Sequence, residues 1–278
     1  MWDKKASSFA NKPKRSDYIN QLIEKLNLSP KETVFDMGCG SGTLSIPLAL
    51  LGHQVCAVDF STAMLEELAI AAASQGASVR EGGALSRTAF AAKRESPNVS
   101  SVNPSSCCGG VVETFERSWQ QDWSYLPICD VAVSSRSFIT NDIADGIAKL
   151  EAHATSRVAV TTGAGDLPYK DHRVAQAMGQ SVNEFMDPQQ LVCLISYLFS
   201  IGRLPRVSYI EFPGVWHRST REELIASITR SHEPANEKER AALDAYLERH
   251  IVFNENEQRF ELDYPRMDRW AYVEWPLS

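Results

Sequence analysis

Residues 34–59 constrain the fold more than any other stretch of this 278-residue chain. A short apolar run at 34–35 ends in Asp36, and glycines then alternate with other residues at positions 38, 40 and 42. A helical pattern covers 43–51, and a second apolar run at 55–58 ends in Asp59. This order predicts a strand, a tight turn, a helix and a second strand, with a carboxylate at the end of each strand. Ligands of parallel sheets bind across the carboxyl ends of such strands.

The spacing of the glycines distinguishes between classes of ligand. A dinucleotide-binding turn follows Gly-x-Gly-x-x-Gly, and its third glycine would fall where this chain has Thr43. The pattern Asp-x-Gly-x-Gly-x-Gly at 36–42 instead resembles motif I of the class I S-adenosylmethionine (SAM)-dependent methyltransferases. Asp59 matches the ribose-binding acid of that family. Without a ligand, the same residues would form an ordinary glycine-rich turn of an α/β protein.

The resemblance implies a site for SAM, and for its product S-adenosylhomocysteine (SAH), at the glycine turn. Glycine lets the main chain approach the methionine part of SAM because no Cβ intervenes. Asp36 either accepts a hydrogen bond from the ligand ammonium or orders the turn, and Arg15 either meets the SAM carboxylate or is a solvated surface charge. The implied cofactor-binding residues are Arg15, Asp36, Gly38, Cys39, Gly40, Gly42, Asp59, Phe60, Met64, Ser118, Trp119 and Ser135.

The segment after the predicted strand 111–115 holds the candidates for binding adenine. In many class I methyltransferases a polar residue follows this strand and meets the adenine amino group, and here Ser118, Trp119 or Asp122 could have that role. Alternatively, Trp119 and Trp123 are spaced to pack as one face of a helix. Phe60 and Met64 resemble the apolar residues that flank the adenosine.

The residues that follow the predicted strand starting at 129 are candidates for binding the methyl acceptor. Arg136 indicates an anionic substrate or contact with the SAM carboxylate, or else a structural pair with Asp142 or Asp145. Tyr169 and His172 are further candidates for binding the substrate, although His172 equally suits the polar start of a helix. Catalytic residues are not assigned, because SAM carries an activated leaving group and the protein mainly has to position the acceptor. Metal-binding patterns are not found in the sequence.

The resemblance implies one class I methyltransferase domain over 1–278. Its fold class is α/β, with a Rossmann-like, seven-stranded, mostly parallel sheet, helices on both faces, an antiparallel last strand and a small C-terminal helical cap. The expected parts are N-terminal lid helices (1–30), a SAM-binding core (31–165) with a flexible insertion (76–110), and a substrate-side cap with the final strands (166–278). The pattern Trp2-Asp3-x-x-Ala6-x-x-Phe9 resembles the start of quinone-biosynthesis methyltransferases.

Composition narrows the class of partner. The net charge of −7 and pI of about 5.5 disfavour an extended nucleic-acid footprint. Apolar runs stay well short of the ~20 residues that span a membrane, and the N-terminus has no apolar signal segment, which predicts a cytoplasmic protein. The six scattered cysteines indicate reduced thiols. The predicted activity is methyl transfer to a small, anionic acceptor. The alternatives are a protein or RNA methyltransferase and a non-catalytic SAM-binding regulator, and a homodimer is left open.

Overall fold

The computed structural model describes residues 17–83, 110–140, 142–164, 171–180 and 189–277. Several predictions lie outside these residues: the first 16 residues of the predicted lid, with Arg15 among them, Tyr169 and most of the 76–110 insertion. The rest of the lid range is described and contains one helix, Asp17–Leu26. The described chain forms two compact units. The first contains the described residues up to 162, together with 193–208 and the residues from 272 onward. The second contains the described residues within 163–192 and 209–271.

Helices and strands alternate through the first half of the chain, as the sequence predicts. The helices are α1 (Asp17–Leu26), α2 (Ser45–Leu50), α3 (Thr62–Gln75), α4 (Ile143–Ala152), α5 (His172–Ala177), α6 (Gln189–Ser200), α7 (Arg221–His232) and α8 (Glu237–His250). The strands are β1 (Val34–Met37), β2 (Val55–Asp59), β3 (Ser78–Glu81), β4 (Val111–Glu116), β5 (Cys129–Ser135), β6 (Ala154–Gly163), β7 (Arg206–Gly214), β8 (His217–Arg218), β9 (Ile251–Asn254), β10 (Arg259–Leu262) and β11 (Arg266–Pro276).

The main sheet has the strand order β3-β4-β2-β1-β5-β6-β11-β7. β1 pairs in parallel with β2 on one side and with β5 on the other. From β1 the chain proceeds outward to β2 and β4, and it then returns to the other side of β1 for β5 and β6. The strand order therefore reverses at β1, and this reversal opens a crevice at the carboxyl ends of β1 and β5, where ligands of open α/β sheets bind.

The last strand runs antiparallel, as predicted. The Leu277 N–H, just past β11, donates to the Ser156 carbonyl near the start of β6 at 2.9 Å. The end of β11 thus lies beside the beginning of β6. The Trp275 indole and the Arg203 guanidinium both donate to the carboxylate of Glu151, near the end of α4. Glu151 thus links α4 to the end of β11 and to the segment after α6.

Local capping residues set the helix starts. Ser61 caps α3 by accepting from the Met64 N–H, and Thr220 caps α7 by accepting from the Glu223 N–H. In both caps a side-chain hydroxyl satisfies an N–H that the helix leaves without a partner. Among the described residues, the structure has no helix that is both long and apolar enough to cross a bilayer.

The structure corrects two details of the predicted architecture. The main sheet contains eight described strands rather than seven, because β3 pairs in parallel with β4 inside the range 76–110 that was expected to be a flexible insertion. β3 has only four residues and is mostly exposed, so it carries no apolar alternation to reveal it. The predicted helical cap also contains a three-stranded sheet of order β8-β10-β9 beside its helices.

Candidate active site

The glycine turn after β1 leaves one position that faces open space. Gly38, Gly40 and Gly42 all have positive φ, at +76°, +54° and +82°. A Cβ added to Gly38 would lie 2.3 Å from the Ser137 Cβ, and one added to Gly42 would lie 2.8 Å from the Leu68 Cγ. A Cβ on Gly40 would meet no atom of the described residues within 4 Å. Protein packing thus accounts for glycine at two of the positions, while the main chain at Gly40 is open to a ligand.

Asp59 lies at this open position. Its Oδ2 atom accepts from the Gly40 N–H at 2.9 Å, and its Oδ1 atom accepts from the Ser61 N–H at 2.9 Å. The side chain is 6% exposed, so these backbone donors hold the carboxylate in one orientation. The end of β2 and the glycine turn are joined in this way, and the acid predicted to bind ribose is adjacent to the residue that faces open space.

Asp36 connects the glycine turn to the helix that follows it. Ser45 Oγ, in the first turn of α2, donates to Asp36 Oδ2 at 2.6 Å. Burial raises the pKa of the Asp36 carboxyl to about 7, although the Ser45 hydrogen bond opposes this rise; the charge of Asp59 adds to it. Of the two roles predicted for Asp36, the structure shows the ordering of the turn, and contact with a ligand ammonium stays a prediction.

The apolar candidates beside Asp59 differ in exposure. Phe60 follows Asp59 and is 53% exposed, whereas Met64, in the first turn of α3, and Cys39, in the glycine turn, are buried. An exposed phenylalanine next to an ordered carboxylate offers a flat apolar surface at the same edge of the sheet. This placement is compatible with the predicted contact to a base.

The segment 117–123 has a turn at 119–120 and no helix, so the alternative that Trp119 and Trp123 form one face of a helix is wrong. Trp119 Nε1 donates to the Ser137 carbonyl at 3.0 Å, and Trp123 Nε1 donates to the Ser118 carbonyl at 2.9 Å. Both indoles are buried and their ring centres lie 5.2 Å apart, so the two side chains pack together as that alternative expected, but without a helix. The spacing of four residues was misleading because indole hydrogen bonds to carbonyls, rather than a helix, bring the rings together.

Neither alternative for adenine binding is decided by these contacts. The Ser118 N–H donates to Gln121 Oε1 at 2.8 Å. Asp122 is exposed, and hydrogen bonds from the hydroxyl and N–H of Ser124 lower the pKa of its carboxyl. Adenine binding by Ser118, Trp119 or Asp122 therefore stays a prediction.

The exit of β5 lies against the glycine turn. Ser137 Oγ donates to the Met37 carbonyl at 2.7 Å and is 2.9 Å from Ser134 Oγ. The same side chain occupies the space that a Cβ on Gly38 would need. Sequence reasoning did not single out Ser137. Its signal is the small residue two positions beyond the end of β5, where only a short side chain can approach a glycine turn.

Arg136 projects from this exit into solvent. Its φ of +57° is uncommon for a residue with a side chain, and its N–H donates to Thr161 Oγ1 at 2.9 Å. The guanidinium carbon lies 4.1 Å from the centre of the Tyr18 ring. The two carboxylates suggested as structural partners have other roles, because Asp142 caps α4 and Asp145 pairs with Lys149 at 2.8 Å.

Ser135 and Tyr18 complete the group beneath Arg136. The Tyr18 hydroxyl is 2.9 Å from Ser135 Oγ and 2.7 Å from Thr161 Oγ1. Burial raises the pKa of the Tyr18 phenol, so this hydroxyl remains protonated at neutral pH. The hydroxyl of Ser135, a predicted cofactor contact, thus forms a hydrogen bond with Tyr18. Its contact with a ligand stays a prediction.

The remaining predicted residue, His172, belongs to the second unit. It is exposed and is the first residue of α5, in agreement with the alternative that it starts a helix. Its role in substrate binding is still a prediction. The second unit also has a surface cavity of about 450 Å³ along α7 and Arg240 of α8, which contains none of the predicted site residues. Among the described residues, the structure contains no cluster of side chains suited to a metal ion.

Comparison with known proteins supports the assignment of the glycine turn. Residues 34–94 match the family model described as a methyltransferase domain. An uncharacterised protein of Haemophilus influenzae is 30% identical over 280 residues, which span 100% of this chain and 89% of the relative.

Solved structures show a weaker likeness. Precorrin 8w decarboxylase from Methanobacterium thermoautotrophicum is 11% identical, with a TM-score of 0.48 over 95% of this chain and 91% of the other. A SAM-dependent methyltransferase from Thiobacillus denitrificans, in complex with SAH, is 15% identical, with a TM-score of 0.45 over 96% of this chain and 92% of the other. At these scores the likeness carries no argument about function.

The methyltransferase-domain match covers β1, the glycine turn and Asp59, and these are the residues that form the open edge of the sheet. The H. influenzae relative is similar over the whole chain but is itself uncharacterised, so the methyltransferase match is that of residues 34–94. Together with the reversal of strand order at β1, these findings show that the chain belongs to the class I SAM-dependent methyltransferase family.

Proposed function

We propose that the protein transfers a methyl group from SAM to a small-molecule acceptor that carries a negative charge, with SAH as the second product. One observation carries the proposal: Gly40 faces open space beside the ordered carboxylate of Asp59, at the point where the strand order reverses. A protein that needed this turn only for packing would not require an open main chain there. The proposal rests on this edge of the sheet and on the family assignment.

The residues around the turn fit SAM. The open main chain at Gly40 suits close approach of a methionine moiety, and the oriented carboxylate of Asp59 suits the hydroxyls of a ribose. Exposed Phe60 and buried Met64 suit the two sides of a base. When bound, SAM supplies a methyl group on a positively charged sulfur, which is already a good leaving group.

The chain itself then has to position the acceptor and exclude water. Orientation of a bound acceptor can account for a large part of the rate enhancement in such a transfer. A general base is required only if the acceptor loses a proton close to the transition state. The exit of β5 suits the positioning role, because Ser137 contacts the glycine turn and Arg136 follows directly after the strand.

Arg136 supports the choice of an anionic acceptor. It is an exposed guanidinium at the carboxyl edge of the sheet, one residue before Ser137. Guanidinium binds carboxylate and phosphate groups through paired, charge-assisted hydrogen bonds. A carboxylate or phosphate on the acceptor would thus be held next to the transferred methyl group.

The choice between Gly40 as a ligand contact and as a plain turn residue can be tested with alanine. Gly40→Ala and Gly76→Ala place the same methyl group at a positive φ, of +54° and +76°, and in the part of the chain that the structure describes neither methyl group meets an atom within 4 Å. Both variants should lose a similar stability of about 1 kcal/mol. Only Gly40→Ala should weaken SAH binding, by at least about tenfold, because its methyl group enters the ligand space. Calorimetric titration with SAH measures this, and equal affinities of the two variants would contradict the role of Gly40.

The anionic acceptor is tested with Arg136→Lys and Arg136→Gln. Both variants should bind SAH as the wild type does. Arg136→Gln should raise the KM for a charged acceptor by about 100-fold, since a paired charge-assisted contact contributes about 3 kcal/mol. Arg136→Lys should retain part of the binding, and Arg240→Gln, a charge removed from α8, serves as the control. If Arg136→Gln leaves the KM unchanged, the acceptor is not held by this residue.

The activity itself is tested by supplying SAM with a labelled methyl group and a cell extract separated into small-molecule and macromolecular fractions. Label in the small-molecule fraction, dependent on Asp59, is the expected result. Label in protein or RNA instead would favour the alternative class of methyltransferase, against which the net charge of −7 argues. SAM binding without transfer to either fraction would indicate a regulatory protein, and absence of SAM binding would refute the proposal.

A further inference from the structure

We propose that Tyr18 is the positioning residue that fixes Arg136 for recognition of the acceptor's anionic group. This inference rests on the proposed function, and it assigns a role to a residue on α1 that lies outside the glycine turn and the strand exits. Tyr18 is in the first turn of α1 and is 1% exposed. Its ring contacts Arg136 directly, and its hydroxyl is linked to Arg136 through Thr161.

The ring contact acts on the guanidinium. The guanidinium carbon of Arg136 lies 4.1 Å from the centre of the Tyr18 ring, within the distance at which a cation is attracted to an aromatic face. Arg136 is exposed, and a free arginine side chain there would sample many rotamers. Contact with the buried Tyr18 ring restricts those rotamers. A planar anion is bound through the N–H edge of a guanidinium.

The hydroxyl contact acts on the main chain. Tyr18 Oη is 2.7 Å from Thr161 Oγ1, and the same Thr161 Oγ1 accepts from the Arg136 N–H at 2.9 Å. Arg136 has a φ of +57°, a conformation that costs a residue with a side chain about 1 kcal/mol and persists only where the surroundings impose it. The Tyr18–Thr161 pair supplies that constraint, because it fixes the acceptor to which the Arg136 N–H is bound.

The two contacts have a common consequence. Tyr18 also lies 2.9 Å from Ser135 Oγ, so its hydroxyl meets the residue before Arg136 as well as the strand beside it. The phenol is buried, and its hydroxyl contacts Ser135 and Thr161. Tyr18 therefore sets the direction of Arg136 without touching the acceptor itself, and its loss should weaken the binding of anions while leaving cofactor binding unchanged.

The experiment uses the full chain labelled with ¹⁵N-arginine and saturated with SAH. The Arg136 Nε–H signal is identified from its absence in Arg136→Lys. Sodium benzoate is the anionic probe, and benzamide is its neutral counterpart. In the wild type, benzoate should shift the Arg136 signal saturably and benzamide should not.

Two conservative variants remove the hydroxyl contact without a large change in shape. Tyr18→Phe and Thr161→Val should each weaken benzoate binding by about fivefold, which corresponds to the net contribution of one hydrogen bond. Tyr272→Phe is the matched control: Tyr272 is buried in the same unit, and its hydroxyl donates to Glu274 at 2.7 Å, away from Arg136. It should leave benzoate binding and the Arg136 signal unchanged, and all variants should bind SAH as the wild type does.

The outcomes separate this inference from the proposed function. If both Tyr18→Phe and Thr161→Val keep the wild-type Arg136 signal and benzoate affinity, Tyr18 is not a positioning residue. If benzoate fails to shift Arg136 in a wild type that binds SAH, the anion role and this inference are overturned, whereas the methyltransferase proposal stands. If SAH does not bind, the proposed function itself is overturned. A thermal unfolding curve for each variant, compared with Tyr272→Phe, shows whether a loss of affinity reflects a loss of fold.

Discussion

Asp59→Asn should weaken SAM binding by about 100-fold, because two charge-assisted hydrogen bonds to the ribose hydroxyls together contribute about 3 kcal/mol. The physical reason is the orientation of the carboxylate. Each of its oxygens accepts from a backbone N–H, of Gly40 or Ser61, and these contacts hold the carboxylate at the carboxyl end of β2. An asparagine amide has only one acceptor oxygen, and its NH₂ group would oppose one of these two N–H donors.

Asp130→Asn is the control for this measurement. The Asp130 carboxylate also accepts from a backbone N–H and a hydroxyl, both of Thr33, at 2.9 and 2.8 Å. It lies near the start of β5, whereas the site is at the strand's carboxyl end. Calorimetric titration with SAM should show wild-type affinity for Asp130→Asn. If Asp59→Asn binds SAM as the wild type does, or if both variants lose affinity equally, Asp59 does not bind the ribose.

Asp36→Asn should remove a loss of stability that the wild type suffers as the pH rises. Burial raises the pKa of the Asp36 carboxyl from 3.8 to about 7. Between these values the folded protein retains a proton that the unfolded chain has released, so the free energy of unfolding falls with rising pH. The stability associated with protonated Asp36 is fully present below the pKa of the unfolded state. It is lost as the pH rises through the pKa of the folded state. The loss between about pH 5 and about pH 8 corresponds to about 3 kcal/mol.

The measurement is urea unfolding, followed by tryptophan fluorescence, of the wild type and Asp36→Asn across this range. The difference between the two isolates Asp36 from the other titrating groups. Asparagine retains an acceptor for Ser45 Oγ, so the start of α2 should remain intact. We expect the wild type to lose stability relative to the variant as the pH rises. A difference that stays constant with pH would show that Asp36 does not carry a buried charge.

The part of the site that could be predicted is the part that local sequence determines. β1, the glycine turn, α2 and β2 lie within 26 consecutive residues, 34–59, and their apolar runs and glycines are sufficient to place them. Ser61 and Thr220 are caps whose signal spans three residues. Patterns of this kind can be recognised without knowledge of distant contacts. They were sufficient to predict that Asp59 lies at the carboxyl end of its strand, beside the glycine turn.

The part that could not be predicted depends on contacts between distant residues. Tyr18 meets Ser135 and Thr161, which are 117 and 143 residues away in the sequence. The available signal was indirect: Tyr18, Leu22 and Leu26 share the buried face of α1, and a buried phenol needs hydrogen-bond partners. The pattern shows that partners exist, but it does not identify them.

Strand β3 was missed for a different reason. It is a short edge strand, and its exposed side chains give no alternation of apolar and polar residues. Gly82, the residue after β3, packs against β4, because a Cβ there would lie 2.1 Å from the Phe115 ring. A glycine that admits an aromatic ring from the neighbouring strand is a packing feature, and sequence alone does not distinguish it from a glycine in a loop.

The most direct test of the central claim is a titration of ¹⁵N-glycine-labelled protein with SAH, followed by the amide signals of the glycine turn. We expect the Gly40 signal to shift most, with smaller shifts at Gly38 and Gly42, while Gly76 and Gly202 stay in place. NAD⁺ is the control, because dinucleotides bind glycine turns of a related pattern, and it should leave all five signals unchanged. SAH binding that leaves the turn unaffected, or no binding of SAH at all, would contradict the assignment of this turn as the cofactor site.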